Sequence, residues 1–171
     1  MNQHLERLDG VAPLLREPVR RLLELAQQKL GTTLLVVHGF RSVAEQLRLY
    51  QQGRVFDRGQ GIWVIDDPAQ VITQATPGTS AHNVVARDGT PAALAVDVIP
   101  LKLSTGRPDW SPGERFWDDL YELSWRVGLD PLGDPVGAYL AADKGHFEEP
   151  AWRLKLDGLG LVLPNPVLTQ V

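Results

Sequence analysis

The stretch LAVDVIP (residues 94–100) places one carboxylate, Asp97, in the middle of an otherwise apolar run. We predict a strand here, in which the alternation of side chains puts Ala95, Asp97 and Ile99 on one face. Burying a lone carboxylate is costly unless it is ion-paired or bound to a cation. Asp97 therefore predicts either a bound metal ion or an ion pair with an arginine such as Arg41.

Helical and strand patterns surround this stretch without a regular order. TTLLVVHGF (residues 32–40) is typical of a buried strand, and apolar residues at helical spacing predict a helix over residues 17–30. A second helix is expected after Ser42, because Ser42 and Glu45 form a capping-box pattern.

The second half of the chain contains the clearest helical pattern, over residues 112–127. Ser111 is the expected N-cap and Glu114 the expected partner in a capping box. Short strand-like pieces are expected at residues 62–65 and 70–73.

The order of these patterns predicts the fold class. Helices and short strands are mixed without βαβ alternation, which favours an α+β fold with helices packed on a small antiparallel sheet that would present a metal bound at Asp97. With 171 residues we expect one domain spanning residues 1–171. The stretch from Leu154 onwards is expected to wrap around it as a tail.

Composition excludes several classes of function. The net charge of −4 and the lack of a dense Lys/Arg stretch disfavour a nucleic-acid partner. The chain has no cysteine, so a metal would be held by histidines and carboxylates. MNQHLERLDG (residues 1–10) lacks the pattern of a signal peptide, and no apolar run is long enough for membrane insertion. We expect synthesis in the cytoplasm.

Two histidines lie in segments that suggest metal chemistry. His82 lies in PGTSAHN and His146 in DKGHFEE, whose first residue is Asp143. Two imidazoles and the carboxylate of Asp97 would leave a fourth tetrahedral position open for water, as in catalytic zinc sites. A second carboxylate beside that water, for which Asp143 is the candidate, could take its proton.

Simpler interpretations of these residues stay open on local pattern alone. His82 could be a loop histidine bonded to the backbone, His146 could lie in a solvated turn, and Asp143 could be a cap or a surface charge. His38 is expected to be a core histidine and not a fourth ligand, and His4 to be exposed. One of the five tryptophans could line a substrate groove.

Several motifs together resemble a known family of zinc peptidases. This family includes D-alanyl-D-alanine carboxypeptidases and the L-alanyl-D-glutamate endopeptidases of phage lysins, and the resemblance spans residues 35–150. The matching stretches are Ser80-Ala81-His82, Ala95-Val96-Asp97, Asp143-Lys144-Gly145-His146-Phe147, GFRSVAEQLRLYQQGR (residues 39–54) and VITQATPGTSAHN (residues 71–83).

The resemblance implies roles for individual residues. It implies one zinc ion with three ligands, His82, Asp97 and His146. It further implies that Asp143 is the catalytic acid and base, that Arg41 stabilises the oxyanion, and that Ser80 hydrogen-bonds the substrate.

The resemblance also implies a substrate, the peptidoglycan stem peptide, and hence action on the cell wall. The favoured bond is L-alanyl–D-glutamate, as in an endolysin, for which a holin-type pore would be the release partner. The alternatives are a D-alanyl-D-alanine carboxypeptidase or dipeptidase, and a non-catalytic cell-wall-binding or phage structural module of the same fold.

Three features depart from the family pattern. Fourteen residues separate His82 from Asp97, an unusually long gap, and the extra segment over residues 84–94 predicts a hairpin or loop with a turn at Asp88-Gly89. Ala93 replaces a usual glycine. The acid/base residue is Asp143 where many relatives have glutamate, which favours the lysin-like branch.

Overall fold

The computed structural model describes residues 6–131 and 143–165. His4 lies outside the described residues. The helices are α1 (Pro13–Leu25), α2 (Val43–Gln51), α3 (Glu114–Arg126) and α4 (Trp152–Leu159). The strands are β1 (Leu34–His38), β2 (Arg54–Asp57), β3 (Ile62–Ile65), β4 (Val85–Ala86), β5 (Ala95–Pro100), β6 (Asp130–Pro131), β7 (His146–Glu148) and β8 (Leu161–Val162).

The largest sheet has the strand order β1-β5-β7-β6, and its neighbouring strands are antiparallel. Two smaller antiparallel pairs, β2 with β3 and β4 with β8, lie outside it. The predicted α+β class is therefore confirmed. The strand that carries Asp97, β5, lies between β1 and β7, so both of its edges are hydrogen-bonded.

A β-bulge shifts the register between β1 and β5. Val36 lies opposite Val98, but His38 lies opposite Asp97, which leaves Val37 as the extra residue. Directly opposed residues of an antiparallel pair share a face, so the bulge places His38 on the face of Asp97. The His38 side chain is 55% exposed. The prediction of a core histidine is therefore wrong.

Helices α1 and α3 belong to the main core together with the other face of the sheet. Leu15 of α1 and Leu120 of α3 are fully buried in one cluster with Val36, Val98 and Phe147 from the strands. Each buried side chain of this size stabilises the fold by about 1.5–3 kcal/mol relative to an exposed one. This core fixes the strands on whose opposite face Asp97 lies.

Helix α3 begins later than the sequence predicts. Gly113, with a φ of +94°, occupies the N-cap position, and no side chain caps the helix. The Ser111 N–H donates instead to the Asp109 carboxylate. The predicted Ser111–Glu114 capping box is therefore wrong, because the chain turns at Gly113, and Glu114 pairs with Lys144.

Three other elements differ from the sequence prediction. The first helix starts at Pro13, and its last turn, Ala26–Leu30, is wider. The predicted strand over residues 70–73 is absent; Pro68–Gln70 forms a short 3₁₀ turn instead. The prediction of a tail from Leu154 onwards is wrong over residues 154–162, which lie in α4 and β8.

The extra segment over residues 84–94 makes a tight turn, as predicted. The Ala86 N–H donates to the Thr90 carbonyl and the Gly89 N–H to the Ala86 carbonyl, while Asp88 accepts from the Thr90 N–H. Strand β4, at the start of this segment, pairs with β8. Across residues 6–131 and 143–165, none of the helices has the length and apolar character that a bilayer span requires.

Candidate metal centre

Three side chains that are distant in sequence meet at one end of the main sheet. His82 lies on a short 3₁₀ turn, Ala81–Asn83, while Asp97 and His146 lie on β5 and β7. The register of the two strands places Asp97 directly opposite His146. His82 and His146 are buried, and the Asp97 side chain is 17% exposed. The structure thus brings together the three residues that the sequence predicts as metal ligands.

The three potential ligand atoms form a nearly equilateral triangle. His82 Nε2 lies 3.1 Å and His146 Nδ1 lies 3.0 Å from Asp97 Oδ1, and the two nitrogens are 3.2 Å apart. Tetrahedral zinc with ligand distances of about 2.0–2.1 Å separates its ligand atoms by about 3.3 Å. The triangle therefore has the dimensions of one face of such a tetrahedron.

Hydrogen bonds at the far side of each ring fix the tautomers. His82 Nδ1 lies 2.7 Å from the Gly39 carbonyl oxygen, which can only accept, so Nδ1 carries the proton. His146 Nε2 lies 3.2 Å from Glu148 Oε2, which assigns the His146 proton to Nε2 in the same way. In the neutral rings, His82 Nε2 and His146 Nδ1 are left with lone pairs. In the neutral rings these lone pairs point at the carboxylate oxygen of Asp97, an arrangement that either a proton on His146 or a bound cation stabilises.

The electrostatics of the cluster also favour positive charge. Burial lowers the pKa of His146, but hydrogen bonds with Asp97 and Glu148 outweigh burial and raise it to about 10. Burial raises the pKa of Asp97, but His82, His146 and His38 together hold it well below its usual value. Asp97 is thus an anion over the whole neutral range, and a metal ion would compete with a proton for His146.

The outer oxygen of Asp97 is held by two further groups. Arg41 Nη2 donates to Asp97 Oδ2 at 3.0 Å, and His38 Nδ1 lies 3.4 Å from the same oxygen. Arg41 Nη1 donates to the side-chain oxygen of Gln46, whose amide in turn donates to the Ala75 carbonyl. The ion pair with Arg41 that the sequence offered as an alternative is present together with the histidine cluster, because the two carboxylate oxygens face different partners.

Ser80 helps to position His82. Its hydroxyl oxygen accepts the His82 backbone N–H at 3.3 Å and caps the short 3₁₀ turn, while the Asn83 side chain accepts from the Ser80 N–H. Ser80 is buried but lines the cleft beside the cluster. A role in binding substrate stays a prediction.

Close backbone packing explains the glycine that precedes His146. The Gly145 carbonyl accepts the Val98 N–H at 2.9 Å, so the two chains lie against each other. A Cβ atom on Gly145 would lie 2.3 Å from the Val98 carbonyl oxygen, far inside contact distance. Only glycine allows β7 to approach β5 here, and this approach brings His146 to Asp97.

The cluster opens into a cleft of about 840 Å³. Asp143 lines this cleft at its exposed edge, and the Asp143 carbonyl accepts the His146 N–H. Although the residue as a whole is exposed, desolvation around its carboxyl group is the main cause that raises the pKa of Asp143, with His146 opposing. A carboxylate with a raised pKa in the same cleft as a group that could hold a metal ion is suited to moving protons.

Three of the five tryptophans line the cleft. The sequence alone did not indicate which tryptophans would do so. Trp110 is 76% exposed at the rim, whereas Trp117 and Trp152 are buried in the wall. Sequence reasoning also missed Glu148 and Gln46. The position of Glu148, two residues after His146 on one strand, is the signal that could have revealed it.

Comparisons with known proteins give structural matches only: no family model and no curated protein matches the sequence. A variant of the vancomycin-resistance D,D-pentapeptidase VanY, in complex with Zn(II), is 18% identical with a TM-score of 0.53, over 87% of this chain and 78% of that one. VanYB in complex with D-alanine-D-alanine is 20% identical with a TM-score of 0.54, over 90% and 80%.

Two other solved peptidases match to a similar extent. The L-Ala D-Glu endopeptidase ChiX of Serratia marcescens is 19% identical with a TM-score of 0.53, and the match covers 89% of this chain and 90% of ChiX. The L,D-carboxypeptidase DacB from Streptococcus pneumonia is 23% identical with a TM-score of 0.50, over 87% and 73%. The chain therefore shares the fold of a group of peptidases that act on D-amino-acid peptides.

Proposed function

We propose that this chain is a zinc-dependent peptidase of peptidoglycan stem peptides, built as one domain over residues 1–171. The observation that carries the proposal is the triangle of ligand atoms from His82, Asp97 and His146, with edges of 3.0–3.2 Å. Its size suits zinc, and in the neutral rings the facing nitrogens carry the lone pairs that would bind a cation.

Each residue of the site has a chemical task in this proposal. His82, Asp97 and His146 hold one zinc ion, which when bound supplies a Lewis acid for water and for the scissile carbonyl. Asp143 takes a proton from the attacking water and delivers it to the departing amine. Arg41 holds Asp97 through Oδ2, and its charge opposes the negative charge that grows on the carbonyl oxygen. Ser80 hydrogen-bonds the substrate from the wall of the cleft.

The favoured bond is L-alanyl–D-glutamate. The support is the match to ChiX, which covers nine tenths of both chains, and the Asp143 to His146 motif. The D-alanyl-D-alanine bond is the second candidate, because VanYB, a structure of the same fold, is in complex with D-alanine-D-alanine. In either case the protein acts on the cell wall, and a holin-type pore would give an endolysin access to it.

Digestion of purified peptidoglycan tests the proposal. The zinc-loaded protein should create new peptide ends, which mass spectrometry identifies: D-glutamate amines for the favoured bond, free D-alanine for the alternative. Asp143→Asn, loaded with zinc equally, is the matched control and should release neither. If the zinc-loaded protein leaves peptidoglycan intact, the chain is a binding or structural module and the peptidase proposal is wrong.

A further inference from the structure

Six side chains that carry or can carry positive charge line the cleft, and five of them contact a carboxylate within residues 6–131 and 143–165. His38, Arg41 and His82 face Asp97, His146 faces Asp97 and Glu148, and Lys144 pairs with Glu114. Arg153 is the sixth, and no carboxylate of the described residues contacts it.

The guanidinium of Arg153 is held in place by groups that do not neutralise it. Its Nη2 atom donates to the Thr79 carbonyl at 2.8 Å, and its central carbon lies 4.3 Å from the centre of the Trp152 ring. Trp152 is 5% exposed and therefore a fixed support, while Arg153 itself is exposed. A guanidinium held by one hydrogen bond and a ring keeps other N–H donors for a ligand, and their planar fork matches a carboxylate.

The hydrogen bond to Thr79 also links Arg153 to the segment that carries His82, one of the three predicted metal ligands. Thr79 precedes Ser80, which caps the turn that carries His82, and Thr79 and Ser80 both line the cleft. A peptide lying in the cleft with its scissile bond at the cluster would therefore extend along a wall that includes Arg153.

Both candidate substrates carry a carboxylate close to the bond that is cut. D-Glutamate that continues the stem through its γ-carboxyl keeps a free α-carboxyl, and a terminal D-alanine keeps its own. In each case this carboxylate belongs to the residue whose amine leaves. We infer that Arg153 binds the α-carboxylate of this residue and so selects acidic substrates. The inference rests on the proposed function.

Binding measurements on matched peptides test it. In zinc-loaded Asp143→Asn, calorimetry compares two peptide pairs: L-alanyl-γ-D-glutamyl-L-lysine with a free or an amidated glutamate α-carboxyl, and D-alanyl-D-alanine with a free or an amidated C-terminus. We expect the free acid of one pair to bind about ten-fold tighter than its amide. The pair that shows this preference identifies the source of the carboxylate.

Arg153→Gln in the same background removes the charge and keeps a polar side chain of similar reach. It should reduce the ratio of the two affinities to about one, whereas Arg115→Gln, at a 95% exposed side chain outside the cleft, should leave it unchanged. A ratio of affinities does not depend on how much of a variant is folded. Equal binding of acid and amide by the Asp143→Asn protein, no binding of either, or an unchanged ratio in Arg153→Gln would overturn the inference.

Peptidoglycan digestion by the wild-type protein separates this inference from the proposed function. Cleavage together with an unchanged ratio in Arg153→Gln means that the peptidase proposal stands and the role of Arg153 is wrong. A lost preference without any cleavage means that the carboxylate site stands and the peptidase proposal is wrong.

Discussion

Glu148 lies two residues after His146 on strand β7, and its Oε2 atom is 3.2 Å from the Nε2 atom of the His146 ring. Alternate residues of a strand share a face, so this contact follows from the strand itself. Because Glu148 accepts a hydrogen bond from Nε2–H, it holds Nδ1 towards Asp97 and makes the neutral ring a stronger ligand.

Removing this carboxylate should weaken metal binding without removing a ligand. We expect Glu148→Ala to lower zinc affinity by about 10- to 100-fold and Glu148→Gln, whose amide oxygen still accepts, to lower it less. Competition with a chromogenic chelator measures both. Glu122→Ala, on the exposed surface of α3, is the control. Equal affinity in Glu148→Ala and the control would show that the contact is not used.

The two histidines that contact Asp97 from different sides should behave differently. His82→Ala removes one corner of the triangle and should lose both zinc and activity. His38→Ala removes a partner of the outer oxygen only and should keep one zinc ion per chain. Elemental analysis after dialysis gives the stoichiometry, and a full zinc content in His82→Ala would remove that residue from the site.

Asp143 should matter for catalysis and not for metal binding. Asp143→Asn should keep stoichiometric zinc and lower kcat by about 10²- to 10⁴-fold, the range for a lost proton carrier. Initial rates on peptidoglycan fragments check this. Asp118→Asn, exposed on α3, should keep wild-type rates. If Asp143→Asn keeps wild-type kcat, the proton is carried by another group.

Zinc binding should release a proton and strengthen with pH. The pKa of His146 is raised to about 10 in the metal-free protein, so at pH 7 zinc must displace its proton, whereas Asp97 is already ionised. Apparent affinity should therefore rise about ten-fold per pH unit from pH 7 towards pH 10. Calorimetry at pH 7 in buffers of different ionisation enthalpy counts the protons. We expect about one per zinc ion, and release close to zero would contradict the assignment.

The glycine before His146 should be irreplaceable. Gly145→Ala forces a Cβ atom against the Val98 carbonyl, so we expect a loss of about 1–3 kcal/mol in the free energy of unfolding and weaker zinc binding. Gly158→Ala is the matched control, because nothing lies within 4 Å of the added atom and the residue is helical. Chemical denaturation compares the two. A Gly145→Ala protein as stable as the control would mean that β7 can retreat from β5 without loss.

The sequence predicts well what depends on local pattern. The strand with Asp97, the helix after Ser42 and its capping box all appear where apolar periodicity and cap residues indicate them. The predicted start of α3 is wrong because Gly113 turns the chain directly after Ser111 and Pro112, a pair that is also typical of a helix start. The prediction misses helix α4, because its apolar residues are stabilised by tertiary packing. Trp152 and Leu161 lie in one buried cluster, which the local sequence does not reveal.

The site was predictable as a set of ligands and not as an arrangement. His82, Asp97 and His146 stand out by residue type and motif, whereas the position of His38 depends on one extra residue, Val37, in a strand pair. A bulge leaves no periodic signal in a single strand, because it exists only relative to the partner.

The register of the main sheet has a consequence for how this site tolerates change. His38, Asp97 and His146 occupy one row that crosses β1, β5 and β7, and this row runs perpendicular to the strands. Inserting or deleting residues in the connecting loops leaves the row intact, whereas slipping one strand by a single residue would send its member to the opposite face. The site should therefore tolerate changes in the length of the loops, such as the segment over residues 84–94, far better than changes in the pairing of these three short strands.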